Sequence, residues 1–257
     1  MMAYHLDFIS DEDLFNHVRE TVQKYRFHMD LAKLNHNLID PIKLTFDAGV
    51  YQKSFSNQAL ERILENEVLR QMDKSNTNHI GYFHQNIFRY IGANDGWIVP
   101  NQGFDVENHT RQIFVEMKNK HNTMNSSSSA KTYMRMQNKI LQNGENTCYL
   151  VEIIAKRSQN IAWQCSLDGE SVQHERIRRV SIDQFYEVVT GLPNAFAELC
   201  AVLPRVIGDV VEQENVVLIE NTVLADLQQH GVNDILKNLY LLAFQKYQGF
   251  EQFEWAQ

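Results

Sequence analysis

At 257 residues, with 44% hydrophobic and 11% aromatic side chains, the chain is long enough to bury a sizeable core. A formal net charge of −8 excludes a protein that coats nucleic acid indiscriminately. Cys148, Cys165 and Cys200 are isolated, odd in number and without a CxxC pair, as free thiols of a reducing cytoplasm would be. The opening MMAYHLDFISDED has neither the basic nor the apolar region of a signal peptide, and no run approaches the length of a membrane span. The expected compartment is therefore the cytoplasm. No repeat of 20 to 50 residues is visible.

In chain order, Ser10 precedes Asp11, Glu12 and Asp13, the pattern of an N-cap with acids in the first turn, and Phe15, Val18, Val22 and Tyr25 continue at helical spacing. Asp40-Pro41 starts a second helix ahead of Ile42, Leu44 and Phe46. A third opens at Ser56 with the stripe Leu60, Ile63, Leu64 and Val68. Glu67 lies beside that stripe, where it is either a third metal carboxylate or, more simply, a rim glutamate meeting a lysine. NHIGYFHQNIFRYI, from Asn78 to Ile91, reads as a further helix whose buried side is Ile80, Phe83, Ile87, Phe88 and Ile91. It offers His84 and Gln85 as polar groups.

Next comes GFDVENHTRQIFVEMK, from Gly103 to Lys118, which alternates as two adjacent strands with a turn near Glu107-Asn108-His109. Glu116 and Lys118 are two apart and leave one face of the second strand, while Val115 and Met117 leave the other. Antiparallel pairing can bring Asp105 to the same edge. Two carboxylates suit a hard divalent cation, and an ammonium beside them can orient or help deprotonate a water against a phosphate. An isolated Glu-x-Lys triplet is most often a solvated strand face with one salt bridge. Asp, ten residues, then Glu-x-Lys is more than that: it resembles the PD-(D/E)xK nuclease motif, with Phe104 at the nominal proline position.

After Lys118, NKHNTMNSSSSA reads as a loop of donors and acceptors suited to phosphates and base edges. Lys120, Lys131 and the serines Ser126, Ser127 and Ser128 are candidates for backbone contacts, and Asn119, His121, Asn122 and Thr123 for base contacts. The helix from Lys131 to Leu141 adds Tyr133 and Arg135, and carries Gln137. Between Arg111 and Lys139 six basic residues face one acid, whereas Arg205 to Gln257 has three basic against eight acidic residues. The positive part of the chain thus adjoins the candidate carboxylates.

CYLVEIIA, from Cys148 to Ala155, suits a strand buried on both faces, and Ile161 to Leu167 another that turns at Asp168-Gly169 into a hairpin. Arg176, Arg178 and Arg179 read as a solvated face, with a phosphate contact as the alternative. Ser181 caps a helix to Gly191, and the remainder is helical with interruptions at Pro204 and Gly231. The fold class expected is α/β: a restriction-endonuclease-like core, a mixed β-sheet flanked by helices, with N- and C-terminal helical additions. We read one nuclease domain with helices over 1–75, the catalytic and DNA-reading core over 76–190 and helices over 191–257.

NHIGYFHQNIFRYI, then GFDV, then FVEMKNKHNTMNSSSSAKTYMRMQNK is similar to the small family of type II restriction endonucleases that cut GGNCC, over most of the chain from about FISDEDL onward. The resemblance implies a homodimer that reads a palindrome in double-stranded DNA with Mg²⁺, cuts each strand once, and works alongside a DNA methyltransferase that protects the host. It implies Asp105, Glu116, Lys118 and Gln85 as catalytic residues, with Asp105 and Glu116 on the metal. Two alternatives are another nuclease of the same fold, for repair or structure-specific cleavage, and an inactive DNA-binding relative. The three intact motif side chains disfavour the last.

Overall fold

Ser10 accepts a hydrogen bond from the Asp13 amide and opens α1 (Asp11–Val22), whose first turn holds three acids. The structure, a computed structural model, describes residues 3–25, 28–31, 40–214, 220–229, 234–244, 246–248, 250 and 254. Strand β1 (His28–Met29) precedes α2 (Pro41–Asp47), capped by Asp40 and continued by a π-helical turn, Ala48–Gln52. Pro41, Leu44 and Ala48 form its buried line, while Ile42 and Phe46 are exposed. The expected stripe had a spacing of two, which no helix can hold on one face.

Helix α3 (Asn57–Asn86) is a single helix where the sequence reads as two, ending in a 3-10 turn at Ile87–Arg89. The polar stretch between the two apolar stripes contains no proline, so nothing forces the backbone to stop there. Its expected buried residues are buried except Ile80. Then follow β2 (Trp97–Ile98), β3 (Val106–Asn108), β4 (Ile113–Lys120), α4 (Ser126–Gln142) and β5 (Thr147–Ile154). The turn falls after Asn108 rather than on it, and the serines are the first turn of α4 rather than loop. Asn125 is the reason, because its side chain accepts from the Ser128 amide at 2.8 Å and caps the helix there.

The predicted strand 161–167 is two strands in different sheets, β6 (Asn160–Ala162) and β7 (Cys165–Leu167). β7 pairs with β8 (Glu170–Val172) across Asp168-Gly169, both at positive φ, as a two-residue hairpin turn requires. Strand β9 (Ile177–Ser181) takes the arginine segment into the sheet interior, and α5 (Ile182–Thr190) follows it. Helix α6 (Ala195–Gln213) runs through Pro204 without interruption, with Leu199, Val206 and Val210 buried on either side of it. β10 (Glu220–Asn221), α7 (Val223–Gln229) and α8 (Ile235–Phe244) complete the described elements. Gly231, expected to interrupt a helix, lies outside the described residues. All three cysteines are free thiols. Among the described residues no helix is long and apolar enough to cross a membrane.

The main sheet has the order β2-β3-β4-β5-β9-β6, parallel at β4-β5-β9 and antiparallel on both sides. One face packs Val106, Val115, Val151 and Val180 against the end of α3 together with α1, α5 and α6. The other packs Phe114, Cys148, Leu150 and Ile177 against Tyr133, Met136 and Ile140 of α4. This is the mixed sheet flanked by helices that the sequence predicts. The chain divides into two units: residues 1–23 with 79–215, and residues 24–78 with 216–257. The first contains the whole sheet; the second gathers Met29, Leu44, Leu64, Val68, Leu227 and Leu239 in a core of its own. The units cut across the three sequential segments read from the sequence.

Candidate active site

The β3-β4 hairpin positions the first carboxylate. Asn108 is fully buried, donates to the Asp95 carbonyl at 2.9 Å and accepts from the Arg111 amide at 2.8 Å, which anchors the turn. Val106 then pairs with Val115, and the Asp105 amide donates to the Val115 carbonyl at 2.9 Å. This register sets Asp105 beside Glu116, and the Asp105 carboxylate accepts from the Met117 amide at 2.7 Å. From α3, Gln85 donates to Asp105 Oδ1 at 3.1 Å and to the Asp105 carbonyl at 3.2 Å. His84, its neighbour, stacks edge-on to Phe83 at 5.3 Å and leaves Nδ1 buried without a partner. Burial, with the nearby His17 adding to it, lowers the His84 imidazole to about 4.

Glu116 is gripped from two sides. Lys118 Nζ donates to Oε1 at 2.8 Å and Arg135 Nη1 to Oε2 at 3.0 Å. Arg135 also donates to the Gly103 carbonyl and lies 4.2 Å over the Phe104 ring. The Asp105 carboxyl is raised above the ordinary carboxylate range, by burial first and then by the Glu116 charge; the Met117 amide, Lys118 and Arg135 pull the other way. Two carboxylates set side by side, one just before β3 and one within β4, fit a hard divalent cation, since their oxygens are the preferred donors and a positive charge relieves their repulsion. Among the described residues no group of three or more His, Cys, Asp or Glu side chains could hold a metal ion, so the acidic donors of this site number two.

The remaining sequence candidates separate. Lys120, Asn122, Thr123, Ser126, Ser127, Ser128 and Lys131 are exposed; Asn119 and His121 are half-buried. Tyr133 is 2% exposed and packs at 5.3 Å against Trp163, so its ring belongs to the core beneath α4 and is not presented to a ligand. Arg135, expected on DNA, is engaged with Glu116. Glu67, in the second unit, has both oxygens taken by Arg70, at 2.6 and 2.7 Å, and Gln71. It meets an arginine rather than a lysine. Along α4 a cleft of about 1060 Å³ is lined by Ser126, Lys131, Arg135 and Lys139, with Ser166 and Asp168 of the β7-β8 hairpin opposite.

One cluster has no counterpart in the sequence reading. Glu152 is 1% exposed, opposite Lys118 in register, and bound by His121 at 3.0 Å and by Arg179. Burial alone would raise its carboxyl, yet the hydrogen bonds from Arg179 and His121 hold it below the ordinary range. Arg179 reaches Asn122 Oδ1 at 3.3 Å, which ties the turn after β4 to β9. The available signal was a lone glutamate inside the apolar run CYLVEIIA, because a charge at the centre of a sheet needs a partner. Arg176 and Arg178 are held by Glu145 and by Asn160 and Glu175.

The family model for the Eco47II restriction endonuclease matches residues 6–212. The type II restriction enzyme Sau96I of Staphylococcus aureus is 33% identical over 225 residues, covering 82% of this chain and 83% of the relative. The type II restriction enzyme Eco47II of Escherichia coli is 31% identical over 221 residues, covering 81% and 89%.

Proposed function

Because the chain belongs to the Eco47II restriction endonuclease family and is a type II site-specific deoxyribonuclease acting on double-stranded DNA, we propose that Asp105, Glu116 and Lys118 are its catalytic set, that Gln85 orients Asp105, and that it cuts the palindrome GGNCC. The observation that carries this reading is the shared edge of Asp105, Glu116 and Lys118, tied to one another and to Gln85 by side-chain and backbone bonds of 2.7–3.2 Å. Asp105 and Glu116 would hold Mg²⁺, which supplies Lewis-acid neutralisation of the phosphate oxygens and lowers the pKa of water. Lys118 places its ammonium against the attacking water and the phosphate. Water adds to phosphorus as the ester bond opposite breaks, and the departing oxygen takes a proton from solvent. Arg135 holds Glu116 in place through α4, and on this reading it acts on the carboxylate before it acts on DNA.

Reading of the site falls to the segment that leaves the catalytic strand. Asn122 and Thr123 are exposed at its tip, with Asn119 and His121 beside them and Lys120 toward the backbone. Ser126, Ser127 and Ser128 sit at the amino end of α4, where the helix dipole favours phosphate, and Lys131 lines the cleft along that helix. One site per chain and a palindromic target together call for a homodimer that cuts each strand once. In the cell such an enzyme works in the cytoplasm beside a methyltransferase of the same specificity. Incubation with a sequenced phage DNA, followed by mapping of fragment ends, tests the proposal. Cuts confined to GGNCC in Mg²⁺, and abolished by excess EDTA, are expected; full cutting in EDTA, or ends unrelated to base sequence, would overturn it.

A further inference from the structure

On the far side of Arg179 from Asn122 lies a cleft of about 340 Å³, lined by His121, Lys156, Arg157, Gln159, Ile161 and Arg179. No acidic side chain lines it. Lys156 and Arg157, on the connection from β5 to β6, are exposed and form no ion pair among the described residues. They differ in this from Arg176 and Arg178, whose charges are already answered. Arg179 is the built part of the cleft. It is 19% exposed and fixed by the buried Glu152. Its bonds to Glu152 and Asn122 run through Nη2, while Nη1 bonds no described residue. The guanidinium therefore keeps donors of its planar fork for a further acceptor, and that fork matches phosphate geometry.

The cleft also adjoins the strand that carries Glu116 and Lys118. His121, which lines it, extends β4 by donating its amide to the Ile154 carbonyl at 2.9 Å, three residues past Lys118. That separation is roughly 10 Å along the strand. We propose that this cleft is a phosphate-binding subsite, in which Arg179, Lys156 and Arg157 hold a backbone phosphate of the DNA close to the phosphate that is cut. The proposal rests on the nuclease reading above. It separates two neighbouring roles: Asn122 on one side of Arg179 faces base edges, and the cleft on the other side anchors the strand without reading it.

The test uses the whole protein, the double variant Lys156→Ala/Arg157→Ala, and duplexes that contain GGNCC or a random sequence, with binding measured in EDTA. Each lost phosphate contact removes about 0.9 from the slope of log affinity against log salt. The cleft holds one phosphate, so the slope should flatten by up to about 0.9 on both duplexes, with the ratio of cognate to random affinity unchanged. A single neutral methylphosphonate is then moved step by step along each strand. The parent should lose affinity at one or two positions outside the cut, and the variant should lose nothing more at those positions. Identical slopes and identical methylphosphonate profiles in the two proteins would overturn the cleft, while the parent's cutting in Mg²⁺ is scored separately. A parent that cuts specifically with coincident profiles loses only the cleft; a parent that leaves DNA uncut loses the nuclease reading and the cleft with it.

Discussion

Burial and the adjacent Glu116 both push Asp105 toward its protonated form, while the Met117 amide, Lys118 and Arg135 favour the carboxylate. Burial and the Glu116 charge act together on Asp105, and a divalent cation held by the pair would relieve that repulsion, which is the ground for proposing it as a metal site. The motif spacing is legible in the sequence because strand periodicity places Glu116 and Lys118 on one face whatever the surroundings. The place of Arg135 is not legible, since it depends on α4 packing across Phe104 and Phe114, a contact no local pattern encodes. His84 gives a stability prediction with a definite sign. Its imidazole is lowered from 6.5 to about 4 in the folded protein, so between those values the unfolded chain binds the extra proton. The stabilising contribution is complete above pH 6.5 and is lost as pH falls toward 4, by roughly 3 kcal/mol in all. Denaturant unfolding of His84→Leu at pH 7 and pH 4.5 should show a smaller pH-dependent loss than the parent; equal losses would contradict the assignment.

At the scale of elements, the segment from Lys118 to Ser129 changes character twice: strand to Lys120, a short turn with Asn122 at positive φ, then helix from Ser126. Four serines in succession hide the helix start in the sequence, because serine is a weak helix former that favours caps and turns. Asn125 is the only cue, and only the observed bond to Ser128 distinguishes it from its polar neighbours. β9 is hidden for the opposite reason. Three arginines within residues 176–179 look solvated, yet Ile177, Val180 and Ser181 are buried and Arg179 has Glu152 as its partner. The consequence is that the turn after β4, proposed to read bases, is braced from inside the sheet. Asn122→Ala removes an exposed amide without disturbing Glu152 or Arg179's bond to it. Cognate binding should weaken by about 1 to 3 kcal/mol, the worth of a base-edge hydrogen-bond pair, and random DNA should bind nearly as before because phosphates dominate that affinity. Equal cognate-to-random ratios in Asn122→Ala and the parent would move base reading to another element.

Over the whole molecule, the sequence places the sheet and its flanking helices but not the partition of the chain into two units. Residues 1–23 join the sheet unit through α1 against α6, and the last described helices join residues 24–78. A segment distant in sequence carries no local mark of which core it will enter, so a linear reading assigns N-terminal and C-terminal helices as additions. The negative total charge is likewise uninformative about the binding face. Lys118, Lys120, Lys131, Lys156, Arg157 and Arg179 all belong to the sheet unit, whereas Arg205 to Gln257 has three basic against eight acidic residues. On the proposed reading Asp105, Glu116 and Lys118 cut DNA while neighbouring residues bind it, and replacing Lys118 separates the two. Lys118→Ala leaves both carboxylates and the reading loop in place. Single-turnover cleavage of a GGNCC duplex under saturating Mg²⁺ should fall by about 10²- to 10⁴-fold, the range for a positioned proton-transfer group, with specific binding retained. Cleavage by Lys118→Ala at near the parent rate would contradict it.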